Sequence, residues 1–308
     1  MVGYTFQFEW EVKLMEWCQN YIPEFAIKLL SFLSNAGDTL CVVAILAFVY
    51  LCYDKRAGKK IAFNAIIGLF FSSELKNIFE RRRPYFDNKN IKCLKIVDKD
   101  YDLYDARKQG FSFPSMHSLN AVAVFGTLYE HYRKKILLIV AIVISLIVGT
   151  SRFVLGCHYP TDVIVGWLLG IMSVVVFGKI FDKLNDKQAN ILLLLIGTVG
   201  VFFCTSTDFY SSYGVAIGYV ISTTIDKKYI NFKTTKSIPR IIARLALAGL
   251  VFVAISNGLK LLLPSEVIDA ETAFAYFYRT FRYALSTTLA LGLTPMIYKY
   301  NILKIKEN

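Results

Sequence analysis

Long apolar runs decide which folds are open to this chain. Nine of them stand between clusters of charge, at residues 37–53, 61–79, 113–130, 135–151, 159–181, 189–205, 211–225, 241–263 and 281–298. Each is close to the length a helix needs to cross a hydrocarbon core of ~30 Å. In lipid a lone strand would leave its backbone groups unpaired, so each run is expected to be helical. A mean hydropathy of +0.47, with 55% hydrophobic residues among 308, fits a chain dissolved in a bilayer rather than in water. The expected fold is all-α: a polytopic transmembrane helix bundle of about nine spans. Residues 21–35 are a shorter stretch carrying Glu24 and Lys28. With residues 5–20 they are expected to form an N-terminal interfacial amphipathic helix, a tenth span being the alternative. The first residues lack a basic region followed by an apolar one, so no cleavable signal peptide is expected.

Charge sets the orientation. The net charge of +12 would point to nucleic acid in a soluble protein, but no nucleic-acid-binding motif accompanies it. In a membrane chain it reads as positive-inside topology with anionic membrane lipids as neighbours. Alternate loops are rich in lysine and arginine: Lys55, Arg56, Lys59 and Lys60; Arg133, Lys134 and Lys135; Lys179, Lys183 and Lys187; Lys227, Lys228, Lys233, Lys236 and Arg240; Lys299, Lys304 and Lys306. This set is expected to be cytoplasmic. Two loops of the opposite set, 206–210 and 264–275, carry no lysine or arginine. Another outer loop, 80–112, breaks the rule and is basic, with Arg81, Arg82, Arg83, Lys89, Lys92, Lys95, Lys99, Arg107 and Lys108 partly offset by Asp87, Asp98, Asp100, Asp102 and Asp105. Most of these charges are expected to be solvated, with ion pairs inside the loop; Arg83 is the exception. The six cysteines show no metal-ligand spacing and read as small hydrophobes, a Cys93–Cys157 bridge being the less favoured alternative.

Three short segments stand at the outer ends of the expected spans: 76–84 (KNIFERRRP), 114–117 (PSMH) and 151–162 (SRFVLGCHYPTD). Alternating topology puts all three on one side of the bilayer. Lys76 and Arg83 are seven apart, about two helical turns, and are expected to share a face. With Arg152 they supply the cations that a phosphate dianion needs as charge builds on its oxygens. Pro114 suits the first position of a helix, as does Pro160, and Ser115 with the following amides would offer free donors to an anion. His158 and Asp162 are four apart, so the carboxylate can hold one imidazole nitrogen and leave the other free to attack phosphorus. His117 is then the natural acid for the leaving oxygen. His131, in a basic cytoplasmic turn, is given no role.

This pattern resembles the type-2 phosphatidic acid phosphatases, or lipid phosphate phosphatases, whose motifs read K-x6-RP, PSGH and SR-x5-H-x3-D. The first and third match at Lys76, Arg83 and Pro84, and at Ser151, Arg152, His158 and Asp162. The second matches at Pro114, Ser115 and His117 and departs at Met116, where the family usually has glycine. The resemblance covers about residues 36–182. It implies that His158 is a nucleophile forming a phosphohistidine, that Asp162 orients it and that His117 protonates the leaving group. Lys76, Arg83, Ser115, Met116 and Arg152 would bind phosphate, Met116 through its backbone N–H while its side chain packs. No metal and no cofactor would be needed.

The expected organisation is an interfacial arm at 1–35, a phosphatase core at 36–182 and a four-helix membrane extension at 183–308. The extension carries no readable chemistry. Its expected role is packing, scaffolding or dimerisation, which makes a homo-oligomer one of the expected states. Arg279 and Arg282 are read as interface anchors. The expected function is hydrolysis of a lipid phosphomonoester or pyrophosphate of the polyprenyl, phosphatidic acid or phosphatidylglycerol phosphate type. The expected place is a bacterial cytoplasmic membrane, multi-pass, with the site facing outward. Transfer to a lipid acceptor by the same site is the alternative. An anionic-lipid transporter is disfavoured because the charges gather at one face rather than at the midplane. The haloperoxidases that share the constellation are soluble, which argues against that reading.

Overall fold

The computed structural model describes residues 3–96 and 101–299. Asp98, Lys99 and Asp100 of the basic loop, and Lys304 and Lys306 of the last cytoplasmic cluster, lie outside the described residues. The described chain is all-helical, its only strand-like pairing an isolated parallel bridge between Tyr4 and Arg81. Each of the nine apolar runs is occupied by helix along most of its length. Among the described residues, three helices are long and apolar enough to cross a membrane: Lys135–Val154, Pro160–Lys183 and Ile238–Lys260. The pair Glu24–Gly37 and Thr39–Tyr53, bent by 49°, makes a fourth if it is one broken span. Others are less apolar because they carry polar groups of their own, such as Glu74 and Lys76 on Lys55–Phe79, or His117 and Asn120 on Met116–Tyr132.

The helices form two compact units, Met1–Val43 with Phe63–Lys183, and Ala44–Ala62 with Leu184–Asn308. Residues 44–62 thus group by packing with the C-terminal segment. The first unit begins with α1 (Glu9–Tyr21) and α2 (Glu24–Leu33). The chain leaves it within α3 (Thr39–Phe48) and returns within α4 (Lys55–Phe79). Two short helices follow, α5 (Pro84–Asp87) and α6 (Ala106–Gln109). Then come α7 (Met116–Tyr132), α8 (Lys135–Val154) and α9 (Pro160–Met172), the last continuing through a π-helical turn at Ser173–Phe177 into α10 (Gly178–Lys183).

The two N-terminal helices differ in kind. α1 buries Glu11, Met15 and Cys18, and Met15 packs on Ile91 and Tyr159. Tyr4, just ahead of it, pairs with Glu80 and Arg82 through two backbone hydrogen bonds of 2.9 Å. α2 buries no side chain and exposes Phe25, Leu29 and Phe32, with the Glu24–Lys28 pair on its surface. The first half of the arm is therefore built into the unit on one face while exposing Trp10, Trp17 and Tyr21 on the other, and α2 exposes its apolar face without burying any side chain.

α7 and α9 approach closely because α9 offers Gly166 and Gly170, one turn apart. A Cβ on Gly166 would stand 2.5 Å from the Ser115 carbonyl oxygen, and one on Gly170 would stand 2.6 Å from Val122 Cβ. Small residues at this spacing let helix backbones meet without the aid of water. The consequence is local: the start of α7 is held against the start of α9, where Ser115 N–H donates to the Asp162 carbonyl at 2.9 Å. A buried hydrogen bond from Asn64 to Thr127, 2.9 Å, fixes α4 to α7.

The second unit contains α11 (Asp186–Val201), α12 (Thr207–Ile225), α13 (Ile238–Lys260), the short α14 (Ser265–Ile268) and α15 (Ala273–Lys299). α15 packs on both α12 and α13. Gly214 and Gly218 on α12 repeat the device, with Cβ positions 2.4 and 2.5 Å from the Thr280 and Ala284 carbonyls. Buried Asp226 meets Lys55 at 2.5 Å, and buried Arg244 donates to the Leu51 and Lys233 carbonyls at 2.7 and 2.9 Å. None of the six cysteines is in a disulfide.

The packing predicts that Gly166→Val separates α9 from α7 and costs about 1–3 kcal/mol. Gly249, with nothing within 4 Å of its Cβ position, is the control, and Gly249→Val should leave stability unchanged. Thermal unfolding in detergent measures both; equal melting temperatures for the two variants would contradict the close-approach account.

Candidate active site

Every motif residue lies in the first unit, and the elements converge on the connector between α8 and α9. His158 sits there, 2% exposed, four residues past the end of α8. Its Nδ1 lies 2.8 Å from the Ser112 carbonyl oxygen. A carbonyl only accepts, so Nδ1 carries the proton and Nε2 keeps its lone pair. Asp162 Oδ2 is farther, 3.5 Å from the same nitrogen. The expected i, i+4 contact is thus present as an ion-pair approach, while the hydrogen bond that fixes the ring comes from Ser112, outside the motifs.

Burial pushes the His158 imidazole well below the usual histidine range, and the charges of Arg83, Arg152 and Lys76 and the nearby His117 push the same way. The three cations and the second histidine therefore all bear on one ring. Lys76 is in the last turn of α4 and Arg83 at the start of α5, with 8% and 4% exposure. They do not share a helical face as the spacing suggests. α4 ends at Phe79, and Glu80 takes a left-handed φ of 44° that turns the chain, so Arg83 reaches the site from an extended segment. Its Nε donates to the Gln109 and Gly110 carbonyls at 3.0 and 2.9 Å, and Nη1 donates to the Cys157 carbonyl at 3.0 Å.

Arg152, in the last turn of α8, is 1% exposed, and its Nε and Nη1 have no hydrogen-bond partner among the described residues. A guanidinium with two buried donors left over is suited to an anion's oxygens. Ser115 is the N-cap of α7 and fully buried, its Oγ taking a bond of 2.9 Å from Ser118. Pro114 stands ahead of that cap, joined to Phe113 by a cis peptide, rather than at the first helical position; Met116 takes that place, with Pro160 opening α9 as expected. The Met116 side chain is half-buried, and its N–H is among the first, unpaired donors of the helix.

Four residues that the motifs do not contain complete the site. Ser112 supplies the carbonyl already described. Asp38, at the break between α2 and α3, places Oδ1 2.5 Å from His117 Nε2. Lys95 stands 3.6 Å from the other Asp38 oxygen and donates to Ser34 and Asn35 at 2.8 and 2.6 Å. Arg81, expected to be a solvated loop charge, is instead fully buried. Its Nη1 donates to Asp162 Oδ1 at 2.6 Å and its Nη2 to Glu11 Oε2 at 2.9 Å. An acid at the head of an apolar run was the available clue to Asp38. For Glu11 and Arg81 the sequence offers none, since each is one charge among several neighbours of ordinary surface composition.

Comparison with known proteins places the segments that carry these residues in a family. A family model described as the PAP2 superfamily matches residues 57–186, and one described as a PAP2 superfamily phosphatase transmembrane extension matches residues 210–305. Among curated relatives, phosphatidylglycerophosphatase B of Bacillus subtilis is 42% identical over 74 residues, 21% of this chain and 36% of that protein. The undecaprenyl-diphosphatase of Sulfolobus acidocaldarius is 26% identical over 147 residues, 46% of this chain and 64% of that protein. The lipid A 4'-phosphatase of Bacteroides thetaiotaomicron is 33% identical over 139 residues, 45% of this chain and 58% of that protein. The chain thus spans less than two thirds of each of these three relatives. No solved structure matches it. Two models of one superfamily fall in order along the chain, the first over the segment that holds all three motifs, and the chain belongs to the PAP2 superfamily, with that superfamily's transmembrane extension at its C-terminal end.

Proposed function

We propose that this protein is an integral-membrane lipid phosphate phosphatase working through a phosphohistidine on His158. The observation that carries the reading is the buried, unpartnered pair of Arg152 donors beside a histidine whose tautomer leaves Nε2 unprotonated. The relatives named above are phosphatases of lipid phosphates and diphosphates, which supports the substrate class.

In the first step Nε2 of His158 bonds to phosphorus as the bond from phosphorus to the leaving oxygen breaks. Lys76, Arg83, Arg152, the Ser115 hydroxyl and the Met116 N–H take up the charge on the equatorial oxygens. His117 gives its proton to the leaving oxygen. In the second step a water oxygen bonds to phosphorus, the Nε2–phosphorus bond breaks, and the water's proton goes to His117. Asp38, held on His117 Nε2, fixes that ring and leaves Nδ1 for the transfer. Asp162 holds the His158 connector in place. Because the cations come from the chain, turnover needs no metal. Transfer of the phosphoryl group to a lipid acceptor uses the same first step with another nucleophile in the second.

The same reading assigns the nine helical runs as spans, α2 to the membrane interface and the site to the outer face of a bacterial cytoplasmic membrane. The preferred substrates are a polyprenyl pyrophosphate or a phosphatidic acid-type monoester. The arm at 1–35, the core at 36–182 and the extension at 183–308 are its functional divisions, with the extension serving as packing surface, dimerisation included.

Detergent-purified protein should release phosphate from lipid phosphates in excess chelator, and His158→Ala should release none while keeping the wild-type melting temperature. Release that stops with chelator, or that survives the substitution, would contradict the mechanism. Corrected for ionisation of the ester, kcat/KM should hold its plateau below pH ~6.5, the ordinary histidine value, because His158 stays neutral there.

Asp38→Asn should lower kcat by roughly 10- to 100-fold on an alkyl or lipid phosphate, within the reach of general acid catalysis. On an aryl phosphate, whose leaving oxygen needs no proton, the loss should shrink toward nothing; equal losses on both would remove Asp38 from proton transfer. For orientation, Lys89→Cys in a Cys93→Ser background should react with an impermeant thiol reagent added to intact cells. Labelling only after permeabilisation would place the site inside.

A further inference from the structure

The buried ion cluster behind His158 has a part in the reaction that neither the motifs nor the family match assigns. Glu11 lies on α1, ahead of the matched residues 57–186, and is fully buried. One carboxylate there serves four donors. Oε2 accepts from Phe8 N–H and from Arg81 Nη2, both at 2.9 Å. Oε1 accepts from the Thr161 N–H at 3.0 Å and the Thr161 hydroxyl at 2.6 Å. Thr161 is the second residue of α9, where a backbone N–H has no partner inside the helix, and the N-cap, Tyr159, has no short polar side chain to supply one. Glu11 supplies it from 150 residues away.

Arg81 joins this carboxylate to the site. Its Nε donates to the Phe6 carbonyl at 2.8 Å, its Nη1 to the Thr161 hydroxyl at 2.8 Å and to Asp162 Oδ1 at 2.6 Å. The guanidinium lies over the Tyr159 ring at 3.9 Å and the Phe6 ring at 4.6 Å. Asp162 then has one oxygen on Arg81 and the other on the Tyr159 N–H at 2.8 Å, the residue next to His158. The chain of contacts Glu11–Arg81–Asp162 ends 3.5 Å from the His158 ring. No atom in it is exposed enough to be serving only as a surface pair, with side-chain exposures of 0%, 1% and 0%.

We infer that Glu11 and Arg81 are positioning residues for the nucleophile: the N-terminal arm supplies a carboxylate that fixes Arg81, and Arg81 sets Asp162 and the start of α9 behind His158. The inference rests on the phosphatase reading of the site. It gives the arm a role in turnover, with Glu11 contributing charge and Arg81 contributing a three-way fork that lysine lacks.

The two contributions separate experimentally. Glu11→Gln is nearly isosteric and removes one negative charge behind His158. The imidazolium is then less favoured, so the acid limb of kcat/KM should move to lower pH, and kcat should fall by about 10- to 100-fold with KM little changed. A purely structural role would do the opposite to the acid limb: a loosened, more hydrated His158 would relax upward toward its ordinary value. Arg81→Lys keeps the charge and loses the fork, so kcat should fall while the acid limb stays in place. Both variants are assayed beside wild type and His158→Ala, with melting temperatures measured for all four. Wild-type kcat in folded Glu11→Gln, an upward shift of its acid limb, or wild-type kcat in Arg81→Lys overturns the inference. If Glu11→Gln does not fold, Arg81→Lys decides. A wild-type protein no more active than His158→Ala would instead overturn the phosphatase reading, a separate result.

Discussion

Asp162 is the residue on which the site's construction turns. Its carbonyl accepts from the N-cap of α7, its side chain accepts from the Tyr159 N–H and from Arg81, and it stands at the third position of α9. Three segments widely separated in sequence are thereby fixed to one point: the end of α4, the start of α7 and the start of α9. The contact depends on backbone approach, which Gly166 permits. Removing one partner of a buried ion pair generally costs about 3–5 kcal/mol, because the other charge is left without compensation. A cluster of this kind is better suited to holding geometry than to adding stability.

The electrostatics follow from that frame. Lys76, Arg83 and Arg152 are brought near one histidine, and an assembly of buried cations is costly unless an anion completes it. Burial, and after it the same cations, disfavours the charged form of His158. On the proposed reading, the arrangement that would bind a phosphate dianion is also the one that spares the nucleophile from protonation. His117 is treated differently, with a carboxylate from Asp38 on one ring nitrogen. The two histidines thus differ in what holds the ring, a backbone carbonyl for His158 and a carboxylate for His117.

Much of this was legible in the sequence. Nine apolar runs imply helices, and helices occupy them. The spacings from Lys76 to Pro84, Pro114 to His117 and Ser151 to Asp162 name the residues that meet around His158. What the sequence hid was contact between distant segments. Ser112 acts through a backbone carbonyl, which no side-chain pattern reveals. Arg81 looks like its neighbours Arg82 and Arg83, and what sets it apart is contact with Glu11 and Asp162, each at least 70 positions away. Glu11 meets Thr161 across 150 positions, and its burial depends on the arm folding back beside Glu80 to Arg82. The reading of Lys76 and Arg83 as one helical face failed for a related reason: period arguments hold only while the helix lasts, and α4 ends between them.

The central claim is a covalent one, that phosphate passes through Nε2 of His158. The direct measurement is rapid acid-free quenching during turnover of a slow lipid phosphate, followed by peptide mass spectrometry. The account predicts a phosphoryl group on the peptide containing His158, stable to base and labile to acid, and absent from His158→Ala. Phosphate found on His117 or Ser115 instead, or turnover with no phosphorylated peptide at any quench time, would contradict it.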